Sequence, residues 1–264
     1  MQHRSGENMM LPAGIALSWG LEKRPQRGPK RELSVRQIVD AAVAIADREG
    51  LSAVSMGKVA ESLGFTAMSL YRYIPSKDDL LILMQEAVSE VPLPAHDELG
   101  DWREMIREYF RISVRIIRQH PWFTDIPVYG VPATPGSLRY VDWLLGALKD
   151  FPLHDFEKMN IILLLTSYAR SAGIIRRDLD RIAQGGADMS ARVAAYGAAL
   201  KELVTPDRFP HLHPLIMSGV YTGEKVDESG EEIDFDFGLE RILDGIEAYA
   251  NEKRRTSGDA ESGR

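Results

Sequence analysis

The 264-residue sequence contains no cysteine. Disulfides, thiolate metal sites and cysteine nucleophiles are therefore excluded, and the composition fits a cytoplasmic protein. It also has no run of eighteen apolar residues, so no segment is expected to cross a membrane. LPAGIALSW, residues 11–19, is a short apolar patch broken by Pro12 and Gly14. It lacks the long hydrophobic region and small-residue cleavage site of a signal peptide. The sequence has no G-x-S-x-G, no P-loop and no G-x-G-x-x-G after a strand, so no enzyme and no cofactor are expected. His211 and His213 sit between Pro210 and Pro214 with no third ligand at metal-binding spacing, so no metal is expected either. No internal repeat stands out.

Positive charge is scarce overall, with a net charge of -7. The average hides an asymmetry. Residues 22–77 hold ten Lys/Arg against six Asp/Glu, whereas residues 78–264 hold twenty-one against thirty-two. A basic front on an acidic body suits a protein that meets a polyanion with one end.

What the sequence does contain is concentrated in residues 55–77, SMGKVAESLGFTAMSLYRYIPSK. Ser55 can cap a helix whose inward positions are Val59, Ala60 and Leu63, and Gly64 supplies the left-handed residue that ends it. Phe65 is expected to pack inward. Thr66 is a second N-cap, and the helix it opens stops at Ile74-Pro75, because the residue before a proline is pushed out of the α region. Ser76 caps the next helix, with Asp79 placed to reach back. Two short helices around a glycine turn form a helix-turn-helix, and the second helix of such a pair lies in the DNA major groove.

With the helix before it, Ile38 to Leu81 resembles the DNA-binding domain of the tetracycline-repressor (TetR) family of bacterial regulators. The LG turn, the S-x-Y-R-Y-like end and the following S-K-x-x-L-L carry the resemblance. HPWFTDIP after a long helix, and DFGLERILDGIEAYA after an acidic loop, resemble the family's ligand-binding and dimerisation half more loosely. The resemblance implies an all-α fold. It also implies that Tyr71 and Lys77 grip phosphates while Thr66, Ala67, Met68 and Ser69 face bases.

The expected organisation has four parts. Residues 1–32 are read as a disordered leader with a basic arm (Lys23, Arg24, Arg27, Lys30, Arg31), either touching DNA or simply solvated. Residues 33–76 form the three-helix DNA-binding domain, 77–251 the helical ligand-binding and dimerisation domain, and 252–264 a disordered tail. Ser34 and Gln37 make a capping box for a helix that buries Val35, Ile38, Val39, Ala42, Ile45 and Ala46. A connector helix follows over about 77–91. Further helices are expected over 102–119, 136–150, 155–177, 191–204 and 235–251, with a loop over 184–190 and an acidic loop over 222–234.

Chemistry then assigns roles. Thr66 and Ser69 can hydrogen-bond base edges, Ala67 and Met68 can touch a thymine methyl, and Tyr71 and Tyr73 can donate to phosphates. Lys77, Ser55 and Arg36 complete the candidate DNA contacts, although Arg36 reads more readily as a solvated arginine. Tyr109, Phe110, Ser113, Trp122, Phe123, Tyr129, Trp143, Ser167 and Tyr168 are candidates to line an effector pocket, against the alternative of a plain core. Ile161, Leu165, Ala169, Ala172, Leu239, Ile242, Ile246 and Tyr249 are candidates for a homodimer face built as a four-helix bundle, against the alternative that both stripes bury against their own chain. The function expected is a regulator, released from a palindromic double-stranded operator by a small apolar or aromatic effector. The alternative is a DNA-binding regulator with no effector.

Overall fold

The computed structural model describes residues 11–21, 33–127, 130–222 and 235–262, and every regular element among them is helical. By packing, the chain divides into two compact units, Met1–Gly173 and Ile174–Arg264. The first holds helices α1 (Ala13–Ser18), α2 (Val35–Glu49), α3 (Met56–Leu63), α4 (Ala67–Leu70) and α5 (Lys77–Ser89). It continues with α6 (His96–Leu99), α7 (Trp102–Gln119), a 3₁₀ turn (Pro121–Asp125) and α8 (Pro135–Ala147). Helix α9 (Asp155–Gln184) crosses the division, and the second unit adds α10 (Gly186–Leu203), α11 (His213–Met217) and α12 (Phe235–Ser262).

The first unit starts from local signals that the structure honours. Ser34 accepts the amide of Gln37 at 3.2 Å, and the Gln37 side chain accepts the Ser34 amide at 2.9 Å, closing the capping box on α2. Ser55 accepts from Lys58 N–H and Ser76 from Asp79 N–H, so α3 and α5 also begin on hydroxyl caps. At the end of α3, Gly64 takes φ +77°, and Phe65 N–H reaches Ala60 C=O at 2.8 Å. That left-handed residue turns the chain directly into α4.

Apolar positions spaced three and four apart put Ile38, Val39, Ala42, Ile45 and Ala46 of α2 into one core. Val59 and Ala60 of α3, Leu70, Ile74, and Leu80, Leu81, Leu83 and Met84 of α5 join them. Trp122 and Ile126, from beyond α7, complete the same cluster. Helix α5 therefore shares its core with the helix-turn-helix, while its far end meets α8: the Tyr140 hydroxyl donates to Ser89 C=O at 3.2 Å.

Five expectations need correction. Residues 11–21 are ordered, because α1 finds a docking partner in α5 that a local reading cannot show. Phe65 is exposed, its packing role taken by Leu70 and Ile74. The 184–190 loop shrinks to Gly185, since the alanine-rich stretch behind it propagates the helix back to Gly186. Helix α9 accordingly runs to Gln184. The last helix continues past Asn251 to Ser262, with the Thr256 hydroxyl bonding Glu252 C=O and Lys253 standing 5.3 Å over the Tyr249 ring. The basic arm, residues 223–234 of the acidic loop, and Tyr129 lie outside the described residues.

Candidate DNA interface and effector site

Helix α4 is four residues long, but its hydrogen bonds carry on beyond it. Tyr71 N–H reaches Ala67 C=O at 3.1 Å, and Ile74 N–H reaches Leu70 C=O at 2.9 Å. Leu70 and Ile74, one turn apart and fully buried, pin this segment to the core. The side chains around them divide between the core and solvent. Thr66, Met68, Tyr71 and Arg72 are exposed, Met68 at 72%. An unbranched apolar side chain held in water on a rigid helix is what a groove contact needs.

The Thr66 and Ser69 hydroxyls lie 3.1 Å apart and bond each other, and each keeps acceptor capacity for a base edge. Ala67 is half-buried and Tyr73 is half-buried against the core, so Tyr71 is the more available phenol. Lys77 stands exposed as the first residue of α5. Arg72, exposed between the two tyrosines, is a further cation that sequence reasoning passed over; its position in the S-x-Y-R-Y end was the available signal.

Two other candidates are otherwise engaged. The Ser55 hydroxyl caps α3 and retains only its donor for a phosphate. Arg36 pairs with Asp40 at 3.7 Å and approaches Glu90 at 4.0 Å, beside the residue that ends α5. Lys77 begins that helix, roughly 20 Å away at 1.5 Å per residue. Arg36 is thus grouped with the far end of α5 rather than with the Tyr71–Lys77 end. Lys58 is held by Glu49, whose carboxyl lies below the usual carboxylate range because Lys58, and then Arg48, hydrogen-bond it.

The aromatic candidates separate into two groups. Tyr109 and Phe110 are successive residues of α7 and so point about 100° apart. Tyr109 meets Tyr140 of α8 edge-on at 6.0 Å, and Phe110 stacks on Tyr168 of α9 at 5.6 Å. Burial pushes the Tyr109 phenol up to about 12, opposed by its hydrogen bond with Ser113. Burial also raises Tyr140. Trp143 is buried on α8.

Trp122 and Phe123 do not belong with these residues. They pack into the helix-turn-helix core, where the Trp122 indole donates to Asp47 Oδ1 of α2 at 2.6 Å. His120 Nδ1 lies 2.8 Å from the same oxygen, and because a carboxylate can only accept, that nitrogen carries the proton. Ser167 is exposed on α9, while Arg170, three residues on, donates to Thr124 C=O at 2.5 Å.

The candidate dimer residues divide by exposure. Ile161, Leu165, Ala169, Ala172, Leu239 and Ile246 are already buried within the chain. Gly173 of α9 lies against α7: a Cβ there would stand 2.5 Å from Ile117 Cδ1. Ile242 is half-buried and Tyr249 exposed. The apolar side chains that α9 leaves in water are others, Phe156, Met159, Leu163, Leu164, Ile175 and Ile182. No helix of the described residues is long and apolar enough to cross a membrane, and among them no three acidic, histidine or cysteine side chains gather as a metal site.

Comparison with known proteins agrees with this geometry. The profile described as "Tetracyclin repressor-like, C-terminal domain" matches residues 93–250, and that of "Bacterial regulatory proteins, tetR family" matches residues 38–84. The HTH-type transcriptional repressor DrrR1 of Streptomyces coeruleorubidus is 33% identical over 254 residues, covering 92% of this chain and 88% of DrrR1. The HTH-type transcriptional repressor Rv1353c of Mycobacterium tuberculosis is 24% identical over 246 residues, 91% of this chain and 89% of its own. The crystal structure of ActR from Streptomyces coelicolor in complex with actinorhodin superposes with a TM-score of 0.70 at 28% identity, covering 84% of this chain and 99% of ActR.

Proposed function

The chain belongs to the TetR family of bacterial regulators, and from that premise we propose that it is a homodimeric repressor released from a palindromic operator by a small apolar or aromatic effector. The observation that carries the DNA-reading half is the outward face of residues 66–72 on a segment clamped by buried Leu70 and Ile74. The DNA-binding domain is read as 33–76, the effector and dimer domain as 77–251. Two copies, joined through the exposed apolar face of α9, present their α4 segments to half-sites about 34–36 Å apart.

The effector half rests on the Phe110–Tyr168 stack and its surroundings, and on the ligand-bound structure of ActR. A ligand entering beside that stack displaces α9, which carries Arg170 two residues along. Arg170 holds Thr124 C=O, and the same 3₁₀ turn presents Trp122 to Asp47 on α2. A shift at the aromatic pair is thereby delivered to the first helix of the DNA-binding domain. A hundredfold loss of DNA affinity requires roughly 2.7 kcal/mol of differential ligand affinity between the two states, within the ordinary range of allosteric coupling.

The test is a thermal-shift and anisotropy pair on the full chain. Actinorhodin is the first probe, and a duplex from the chain's own upstream region is the DNA. A rise in melting temperature together with weaker duplex binding supports an effector-released repressor. Salt-dependent duplex binding that an aromatic compound panel leaves unchanged would favour the effector-free regulator instead.

A further inference from the structure

Helix α1 belongs to none of the roles above, yet it makes the most constrained contact in the unit. The amide of Gly14 donates to Asp79 Oδ1 at 2.5 Å, across 65 positions of sequence. Asp79 is the buried charged side chain of the described residues, at 8% exposure. Its other oxygen accepts from the Ser76 hydroxyl at 2.6 Å, the same hydroxyl that caps α5.

Pro12, at the start of α1, has no side chain to satisfy the first-turn amides, so Asp79 supplies the cap from another helix and sits at the positive end of its dipole. The contact requires glycine. A Cβ on Gly14 would stand 2.8 Å from both the Cα and the carbonyl oxygen of Asp79, which are backbone atoms.

Seven residues along α5, Glu86 repeats the arrangement. Its Oε1 accepts the Gly136 amide of α8 at 2.7 Å, and a Cβ on Gly136 would meet Glu86 Oε2 at 2.8 Å. Helix α5 thus caps α1 near its beginning and α8 near its end. A third bond closes the triangle, because the Trp19 indole donates to Ala133 C=O, just before α8, at 2.8 Å. Leu17 packs onto the helix-turn-helix core.

We propose that residues 11–21 are an intramolecular strap that positions the start of α5, and with it Lys77, for DNA binding, with Asp79 as the positioning residue. Asp79 lies two residues beyond Lys77 and five beyond the buried Ile74 that anchors the reading segment. A rotation of α5 against α8 must break one of the three bonds or carry α1 with it. The strap rests on the family's DNA-binding role and not on the existence of an effector.

The experiment uses full-length protein carrying Gly14→Val, with Trp19→Phe as a second variant that keeps the ring and loses only the donor. Amide exchange is followed by mass spectrometry, alongside anisotropy with the upstream duplex between 50 and 200 mM salt. Gly14→Val is expected to speed exchange over residues 77–89 and 136–140 by about tenfold, leaving residues 35–63 protected. Trp19→Phe is expected to give about threefold at the same segments. Duplex affinity should fall with a salt slope lowered by about one, matching Lys77→Ala, and the Gly14→Val/Lys77→Ala pair should lower the slope no further. Exchange over 77–89 unchanged while α1 exchanges freely would overturn the strap, as would fully additive losses in the pair. If the wild type fails to bind the duplex, the DNA-reading proposal fails and the exchange arm alone decides the strap.

Discussion

Helices α2 and α9 are both amphipathic, and they dispose of their surfaces in opposite ways. Helix α2 puts Ile38, Val39, Ala42, Ile45 and Ala46 inside and leaves Arg36, Gln37, Asp40 and Asp47 to water or to neighbours. Helix α9 buries Ile161, Ile162, Leu165, Ala169 and Ala172, yet still exposes Phe156 at 86% and Leu163 at 64%. A helix whose apolar content exceeds what its own chain can cover has a surface made for something else. The recognition segment shows the same principle on a smaller scale: its exposed Met68 is the exception in a domain that otherwise hides its apolar side chains.

The contrast breaks most visibly on α9. Leu163→Glu together with Leu164→Glu should convert the dimer to a monomer by light scattering and weaken duplex binding on the order of a hundredfold, since two linked half-site contacts become one. The variant's melting should stay monomer-like and cooperative. A double variant that remains dimeric would move the interface elsewhere.

On the α2–α5 core the cost is to folding. Leu70→Ala should destabilise by about 2–5 kcal/mol in denaturant titrations, because a fully buried side chain leaves a cavity. Met68→Ala, two residues away, should stay within about 0.5 kcal/mol of wild type while weakening the duplex complex. Equal stability losses in the two would mean that Met68 is packed after all.

A further effect belongs to α7 and depends on pH. Buried Tyr109 has its phenol pushed up to about 12, so the folded state favours the neutral form. Its contribution is fully present below pH 10, the ordinary tyrosine value, and is lost as pH rises through 10 to 12. With two pKa steps at about 1.36 kcal/mol each, Tyr109→Phe should avoid at most ~2.7 kcal/mol of the wild type's alkaline destabilisation. Parallel stability–pH curves for the two proteins would refute the assigned burial.

The parts legible in the sequence are those set by neighbours within a few positions. Ser34 with Gln37, Ser55 with Lys58, Gly64 and Ser76 each make the local bond their spacing implies, and α7 begins and ends at Trp102 and Gln119 as its apolar period and His120-Pro121 indicate. What escaped depends on distant partners. Gly14 is informative only once Asp79 is beside it, Trp122 only once Asp47 is, and Gly173 only once Ile117 shows which helix it approaches. Periodicity says that a face is apolar but not what covers it, so it does not separate the residues α9 buries from those it exposes. For the effector site the sequence supplied aromatic residues, and only geometry could separate the Phe110–Tyr168 pair from Trp122 and Phe123 in the DNA-binding core.

The most direct test is hydroxyl-radical footprinting of the full chain on the DNA upstream of its own gene. Two identical subunits presenting Thr66 to Tyr73 to one duplex should protect two patches on the same face, centred about 34–36 Å apart and lost together in Met68→Ala/Tyr71→Ala. A single patch, no protection at low salt, or a footprint that this double variant leaves intact would contradict that arrangement.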